Sequence, residues 1–273
     1  MATALGRFIL ELRQRIALGK FRIGRRRQLR SLVRDAPRVR ETCPVCGGTS
    51  ASRFVFNRPG EVVNKNFCLS CEHLYSYEDQ TNLLHGQIVF GFDRENAAKS
   101  TQTDLMLELA QKRGLKHGTF LDFGVGGNIR AFQDASARAP HHEFMACDTY
   151  PSAVAGYFNT YGPSAPRGIF DGISSYAVVE HLTNTIDAWA LFNRLLKSVR
   201  DGGGLMLHSF PSQLHLSFDD WAMQIAGHSC LFSRASLLLT CRRTGFRLVS
   251  ADPPRYVGPH YHPVMLFQKV RDV

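Results

Sequence analysis

The sequence predicts an α/β protein: a mostly parallel sheet flanked by helices, preceded by a small module built on cysteines. Three observations carry this. From residue 119 onward, strand-like apolar runs alternate with amphipathic helical stretches, the pattern of a parallel sheet with crossover helices. The first of these runs, Thr119-Phe-Leu-Asp-Phe-Gly-Val-Gly-Gly-Asn-Ile-Arg130, reads as a strand, a glycine turn and the start of a helix. Two Cys-x-x-Cys pairs, Cys43/Cys46 and Cys68/Cys71, stand ahead of it, with 21 residues between Cys46 and Cys68.

At 273 residues and 44% hydrophobic content, the chain can bury one large core and carry a small module besides. It has no run of eighteen or more apolar residues, so no transmembrane helix is expected. Arg7, Arg13 and Arg15 interrupt any signal-like apolar segment. The expected setting is cytoplasmic, with reduced thiols. The net charge of +10 is concentrated at one end: residues 1–40 hold twelve basic residues against Glu11 and Asp35, and the rest holds 21 of each sign. The body therefore lacks the overall basic character of many nucleic-acid enzymes.

Residues 1–40 form a basic amphipathic arm. Leu5, Phe8, Ile9, Leu12 and Ile16 share one helical face, and Arg25-Arg26-Arg27 follows. Such an arm suits an anionic membrane surface, giving peripheral membrane contact, or RNA phosphate, or simple packing on the body; all three readings stay open.

Residues 41–78 are a separate zinc-ribbon-like module. Cys43, Cys46, Cys68 and Cys71 have the spacing that places four thiolates around one tetrahedral Zn2+, with a hairpin of Phe54-Val-Phe56 and Val62-Val63 between the knuckles. Zinc there is structural, since four thiolates leave no open position. Disulfides are the competing use and fit the expected compartment poorly. His73 lies close in sequence, but the four cysteines already complete the shell.

Residues 79–118 read as a helical connector. Its helix includes Leu105 and Leu109 and ends near Gly114, with Thr101 or Thr103 as a cap, and it is placed to cover the cofactor edge of the sheet. The large domain spans 119–273. In its first turn Gly124, Gly126 and Gly127 allow positive φ and close approach of a ligand to the backbone, and Asp122 ends the strand. Glu143–Asp148 is a second strand ending in an acid, placed to accept hydrogen bonds from ribose hydroxyls; the alternative for Asp148 is a helix N-cap. A third strand covers Gly168–Tyr176. It is followed by a helix from Ile186 through Lys197 that stops at Asp201-Gly-Gly-Gly204, then by a strand at Leu205–His208. Ser233 opens another helix ending at Gly245, and Phe246–Val249 and Val264–Phe267 are the last strands. Only about twenty residues separate Asp148 from Phe170, so that edge of the sheet is expected to be reduced.

In order and spacing, Phe-Leu-Asp122-Phe-Gly124-Val-Gly126, Asp148, Phe-Asp171-Gly-Ile-Ser-Ser-Tyr-Ala-Val-Val-Glu180-His181-Leu182 and Leu-Lys-Ser-Val-Arg-Asp-Gly-Gly-Gly-Leu resemble the motifs of class I S-adenosylmethionine-dependent methyltransferases. His228-Ser-Cys-Leu-Phe-Ser-Arg, followed by Thr-Gly-Phe246, is similar to their later region, and the resemblance covers roughly residues 95–270. The cysteine module resembles that of bacterial methyltransferases from sugar, polysaccharide and secondary-metabolite pathways. The resemblance implies a Rossmann-like, seven-stranded sheet with its last strand antiparallel. It implies an S-adenosylmethionine site in which Gly124 and Gly126 pass beneath the methionine part, Asp148 holds the ribose and Tyr176 lines the methionine or acceptor side, with Asp122 and Gly127 also among the cofactor-binding residues. The implied acceptor is a small molecule, or a glycan or glycolipid at a membrane surface. An RNA methyltransferase and a non-catalytic scaffold are the alternatives.

Two departures from the family pattern stand out. Asn128 falls where the third glycine belongs, and no acid between 160 and 168 matches the usual adenine contact. His181 is the candidate base at the mouth of the pocket, with His208, His228, His260 and His262 as alternatives. Some relatives bind metal through Glu-x-x-Glu-His. Ala177 holds the first acidic position here, so no catalytic metal is expected.

Overall fold

The structure is a computed structural model that describes residues 31–58, 61–76, 92–124, 130–147, 167–210, 212–214, 224, 227–250 and 264–273. The main sheet uses β5 (Thr119–Phe123), β6 (Glu143–Cys147), β7 (Gly172–Tyr176), β8 (Leu205–Ser209), β10 (Phe246–Ser250) and β11 (Val264–Lys269). Their order is β10-β11-β8-β7-β5-β6. The pairs β6/β5, β5/β7 and β7/β8 are parallel, whereas β11 runs antiparallel to both β8 and β10. The antiparallel last strand is as expected. The count is not: six strands are present among the described residues, with β6 at the edge. Residues 148–166, which follow β6, lie outside the described residues.

Helices cover both faces. On one side, α1 (Phe92–Lys112) and α2 (Arg130–Arg138) bury Met106, Ala110, Phe132 and Ala135 against Phe120, Phe144, Leu207 and Val264. On the other, α3 (Thr185–Leu195) and α4 (Arg234–Arg243) bury Trp189, Phe192, Leu237 and Cys241 against Leu121, Phe123, Met206 and Phe267. Alternate residues of one strand thus serve opposite faces, as the pleat requires. With both faces covered, β5 is buried along nearly its whole length. Gly172 permits the close approach of α1, since a Cβ there would lie 2.5 Å from Met106 Sδ.

Three local expectations shift. α1 starts at Phe92, so Thr101 and Thr103 lie inside it and not at its start, while Gly114 (φ +69) closes the helix as expected. α3 stops at Leu195, before the glycine run, because Leu196 turns extended to bridge Phe170. Gly204 makes room for that turn: a Cβ there would meet Leu196 Cδ2 at 2.5 Å. α4 begins as read, with Ser233 and Ser236 forming a reciprocal capping box.

The cysteine region carries a second sheet, β1 (Arg38–Arg40), β2 (Ser50–Arg58), β3 (Glu61–Cys68) and β4 (Leu74–Tyr75). β2 and β3 form the expected hairpin, pairing from Ala51↔Cys68 to Arg58↔Glu61. A fifth strand, β9 (Cys230–Leu231), joins this sheet from the large domain by pairing with β4. Gln213 Nε2 donates to the Glu72 carbonyl at 2.9 Å, Ser233 Oγ to the Cys71 carbonyl at 2.9 Å, and Arg243 to the Val45 carbonyl. Cys43, Val45, Cys68, Cys71 and Tyr75 belong to the same apolar core as Trp189 and Phe232. Residues 31–35, at the end of the basic arm, are helical, and Val33 and Ala36 pack on Phe54, Phe67 and Leu231. No helix among the described residues is long and apolar enough to cross a membrane.

Candidate active site and metal centre

The chain leaves β5 for β6 on one side and β7 lies on the other. The carboxyl ends of β5 and β7 therefore flank the point where strand order reverses, which is where open α/β sheets bind ligands. Gly124 ends β5 there with φ +73, and its N–H donates to the Cys147 carbonyl at 2.9 Å. A Cβ at 124 would lie 2.4 Å from Val178 Cγ2, so both conformation and space demand glycine. Asp122 is buried on β5, one strand position from Phe123, on the α1 side with Phe120.

Facing this turn is the segment after β7. Tyr176 ends the strand half-buried among α1-side residues. Ala177 takes φ +53, a left-handed conformation that a residue with a Cβ adopts at a cost. It reverses the chain so that Val178 covers Gly124 and Val179–His181 forms a 3-10 turn. From α1, Gln102 Nε2 donates to the carbonyls of Ser175 (2.9 Å) and Leu207 (3.2 Å), and so ties the helix over the carboxyl ends of β7 and β8. Asp171 serves the opposite end of β7: its carboxylate accepts from the Thr119 N–H at 2.9 Å and from Lys197 Nζ at 2.8 Å, which joins β5 to the α3 terminus. Gly126, Gly127, Asp148, His260 and His262 lie outside the described residues.

The histidines separate clearly. His208 Nδ1 lies 2.5 Å from Ser175 Oγ, and its ring is packed by Trp189, Phe192 and Phe267 on the α3 side. Complete burial drops its pKa to about 3, so it is a neutral core group and not the base. His181 closes the 3-10 turn after β7 and is partly buried. Its Nδ1 is 2.6 Å from the Gly227 carbonyl, which can only accept; Nδ1 therefore carries the proton and Nε2 keeps its lone pair. Burial lowers the His181 pKa, opposed by the Gly227 carbonyl and reinforced by the Lys65 charge. His228 stands with its ring centroid 5.1 Å from that of His181, at 75°. Glu180 is 1% exposed, burial pushes its pKa up to about 8, and neither carboxylate oxygen has a hydrogen-bond partner among the described residues. Sequence reasoning did not bring Glu180 and His228 together. The adjacent Glu-His pair was visible, but its partner comes from the segment leading into β9, 47 residues away.

The four cysteines converge. Their Sγ atoms all lie within 4.8 Å of one another, with Cys43···Cys71 at 3.6 Å and Cys46···Cys68 at 3.4 Å. Four sulfurs at 2.3 Å around a tetrahedral ion stand about 3.8 Å apart, so the set is close to a ligand shell. The two knuckles are built alike. Gly47 N–H donates to the Cys43 carbonyl and Glu72 N–H to the Cys68 carbonyl, both at 2.9 Å, and Gly47 (φ +75) and Glu72 (φ +60) both adopt the left-handed region. The Cys71 hydrogen bond pulls the Cys43 thiol down to about 6, while burial raises Cys46 to about 11. His73 is outside the set: it is fully buried and stacks on Tyr75, with Phe232 on its ring as well.

A family model described as a methyltransferase domain matches residues 93–251, more than half of the chain. The chain belongs to this family. It carries a methyltransferase domain. No curated protein matches its sequence. Among solved structures, the Burkholderia thailandensis 1,6-didemethyltoxoflavin-N1-methyltransferase, bound to 1,6-didemethyltoxoflavin and S-adenosylhomocysteine, is similar at 15% identity and a TM-score of 0.49; the match covers 81% of this chain and 95% of that one. The CurJ carbon methyltransferase is similar at 14% identity and a TM-score of 0.45, over 63% of this methyltransferase and 54% of that chain. An S-adenosylmethionine-dependent methyltransferase from Clostridium acetobutylicum is similar at 9% identity and a TM-score of 0.45, over 70% and 96%.

Proposed function

We propose that this methyltransferase passes the methyl group of S-adenosylmethionine to a small-molecule or glycan-type acceptor. The observation that carries the reading is Gly124: a left-handed glycine with no room for a side chain, at the strand-order reversal, beneath the turn that bears Tyr176 and His181. A sulfonium is already activated, so the protein's work is to align the acceptor in line with the methyl group and exclude water. Asp122, Gly124 and Tyr176 are assigned to the cofactor site on their place at the ends of β5 and β7. Gly126 and Gly127 are assigned to the same loop, and Asp148 to the ribose hydroxyls, on their sequence positions. His181 offers its Nε2 lone pair to the acceptor, for a proton or for a cation.

Structural Zn2+ held by Cys43, Cys46, Cys68 and Cys71 belongs to the same proposal. The sulfur spacing and the matched knuckles fit the ion, and β9 lets the metal-held sheet brace the segment carrying His228. The basic arm, with a cytoplasmic site at the inner membrane surface, is proposed on sequence alone. Methyl transfer from labelled S-adenosylmethionine to extracted small-molecule, glycolipid and RNA fractions tests the acceptor class. Label in the first two supports the proposal; label confined to RNA replaces it with an RNA methyltransferase.

A further inference from the structure

We infer that Glu180, His181 and His228 form a second metal site, for a divalent transition-metal cation, beside the mouth of the pocket. One ligand atom from each residue can be chosen so that all three lie within 4.8 Å of one another. Two ligands of one ion at about 2.1 Å stand at most about 4.2 Å apart, so a small closure of side chains completes the set. The independent sign is Glu180. Its side chain is enclosed, and both oxygens lack a hydrogen-bond partner among the described residues. Buried carboxylates are ordinarily paired or bonded, and an orphan of this kind calls for an ion or a proton.

The histidines are prepared in the way metal ligands are. His181 donates Nδ1–H to the Gly227 carbonyl, which fixes the ring and frees Nε2; a backbone carbonyl behind a ligating imidazole is a recurrent second support. Lys65, fully buried on β3, donates to the His228 carbonyl at 2.6 Å and holds that backbone from the cysteine side. Its positive charge opposes a cation, and the Glu180 carboxylate offsets it. Two imidazole nitrogens beside one carboxylate disfavour a hard ion such as Mg2+ and suit Zn2+, Fe2+ or Co2+. Two imidazoles and one carboxylate leave open positions, unlike the four-thiolate shell. An acceptor oxygen bound there would lose its proton more readily, so His181 would act as a ligand in place of a free base. Ala177, the residue that removed the expectation of a catalytic metal, is no obstacle, because His228 supplies the third ligand from another segment.

The test is a metal count on the untagged, full-length protein, with Co2+ as the optical probe. Two equivalents per chain are expected: one with intense thiolate charge-transfer absorption and one without it. Glu180→Gln and His228→Gln should each lose only the second, with circular dichroism unchanged. A wild-type protein that takes up one equivalent, all of it thiolate-bound, overturns the inference, as does a second equivalent that survives in both variants. The wild-type count decides even where a variant fails to fold. Because it measures binding, it is separate from the success or failure of the methyl-transfer assays.

Discussion

The four-cysteine cluster and the Glu180–His181–His228 cluster gather ligating side chains at opposite extremes of locality. The first is made of two short knuckles, each shaped by a residue of positive φ and the same backbone hydrogen bond. The second joins two segments that meet only because β7 and β9 have already been placed. A site made from local turns carries its own geometry, whereas a site made from tertiary contacts borrows it. The two are also physically linked. β9 pairs with the sheet of the first cluster, and Lys65 reaches from that sheet to the backbone of His228.

The largest effect should come from breaking the local cluster. Cys71→Ser removes one of four thiolates, and a structural zinc of this kind contributes on the order of 10 kcal/mol to folding. We expect loss of the thiolate metal and a thermal midpoint lowered by well over ten degrees, with the segment before β9 loosened as measured by hydrogen exchange. An unchanged midpoint would detach the two regions.

Gly124→Ala probes the mouth alone. Positive φ and the 2.4 Å approach to Val178 should cost about 1–3 kcal/mol. Denaturant unfolding should show that loss without any change in metal content at the cysteines.

His208 gives a smaller, pH-dependent effect. Its folded pKa of about 3 lies below the ordinary value of 6.5, so between those values the unfolded chain binds the extra proton and stability falls as pH drops. Above pH 6.5 the contribution is fully present. His208→Asn keeps a partner for Ser175, cannot titrate, and should flatten the acid limb of a stability–pH curve. The smallest effect belongs to the exposed Arg138–Asp104 pair, 2.7 Å apart: Asp104→Asn should change stability by less than about 1 kcal/mol.

What could be read from the sequence follows the same division. The knuckles, the hairpin between them, the glycine that follows β5 and the α4 cap were legible, because spacing and residue type determine them within a few residues. The antiparallel pair at the far edge followed once the family resemblance was recognised. The early stop of α3 was not legible, because Leu196 obeys a bridge to Phe170 rather than its own helical periodicity. The pairing of His228 with His181, the membership of β9 in the cysteine sheet, and the burial of His208 behind Trp189 were also hidden. Each depends on which elements become neighbours, and no local pattern records that. Two serines inside β7 looked polar, yet one is satisfied by the very histidine that seemed a candidate base.

Calorimetric titration of S-adenosylhomocysteine into the zinc-loaded, full-length protein tests the central claim most directly. The account predicts one site per chain, with affinity reduced more than tenfold by Gly124→Ala at a temperature where the variant remains folded. Absence of binding to the wild-type protein, or equal affinity in the variant, would contradict it.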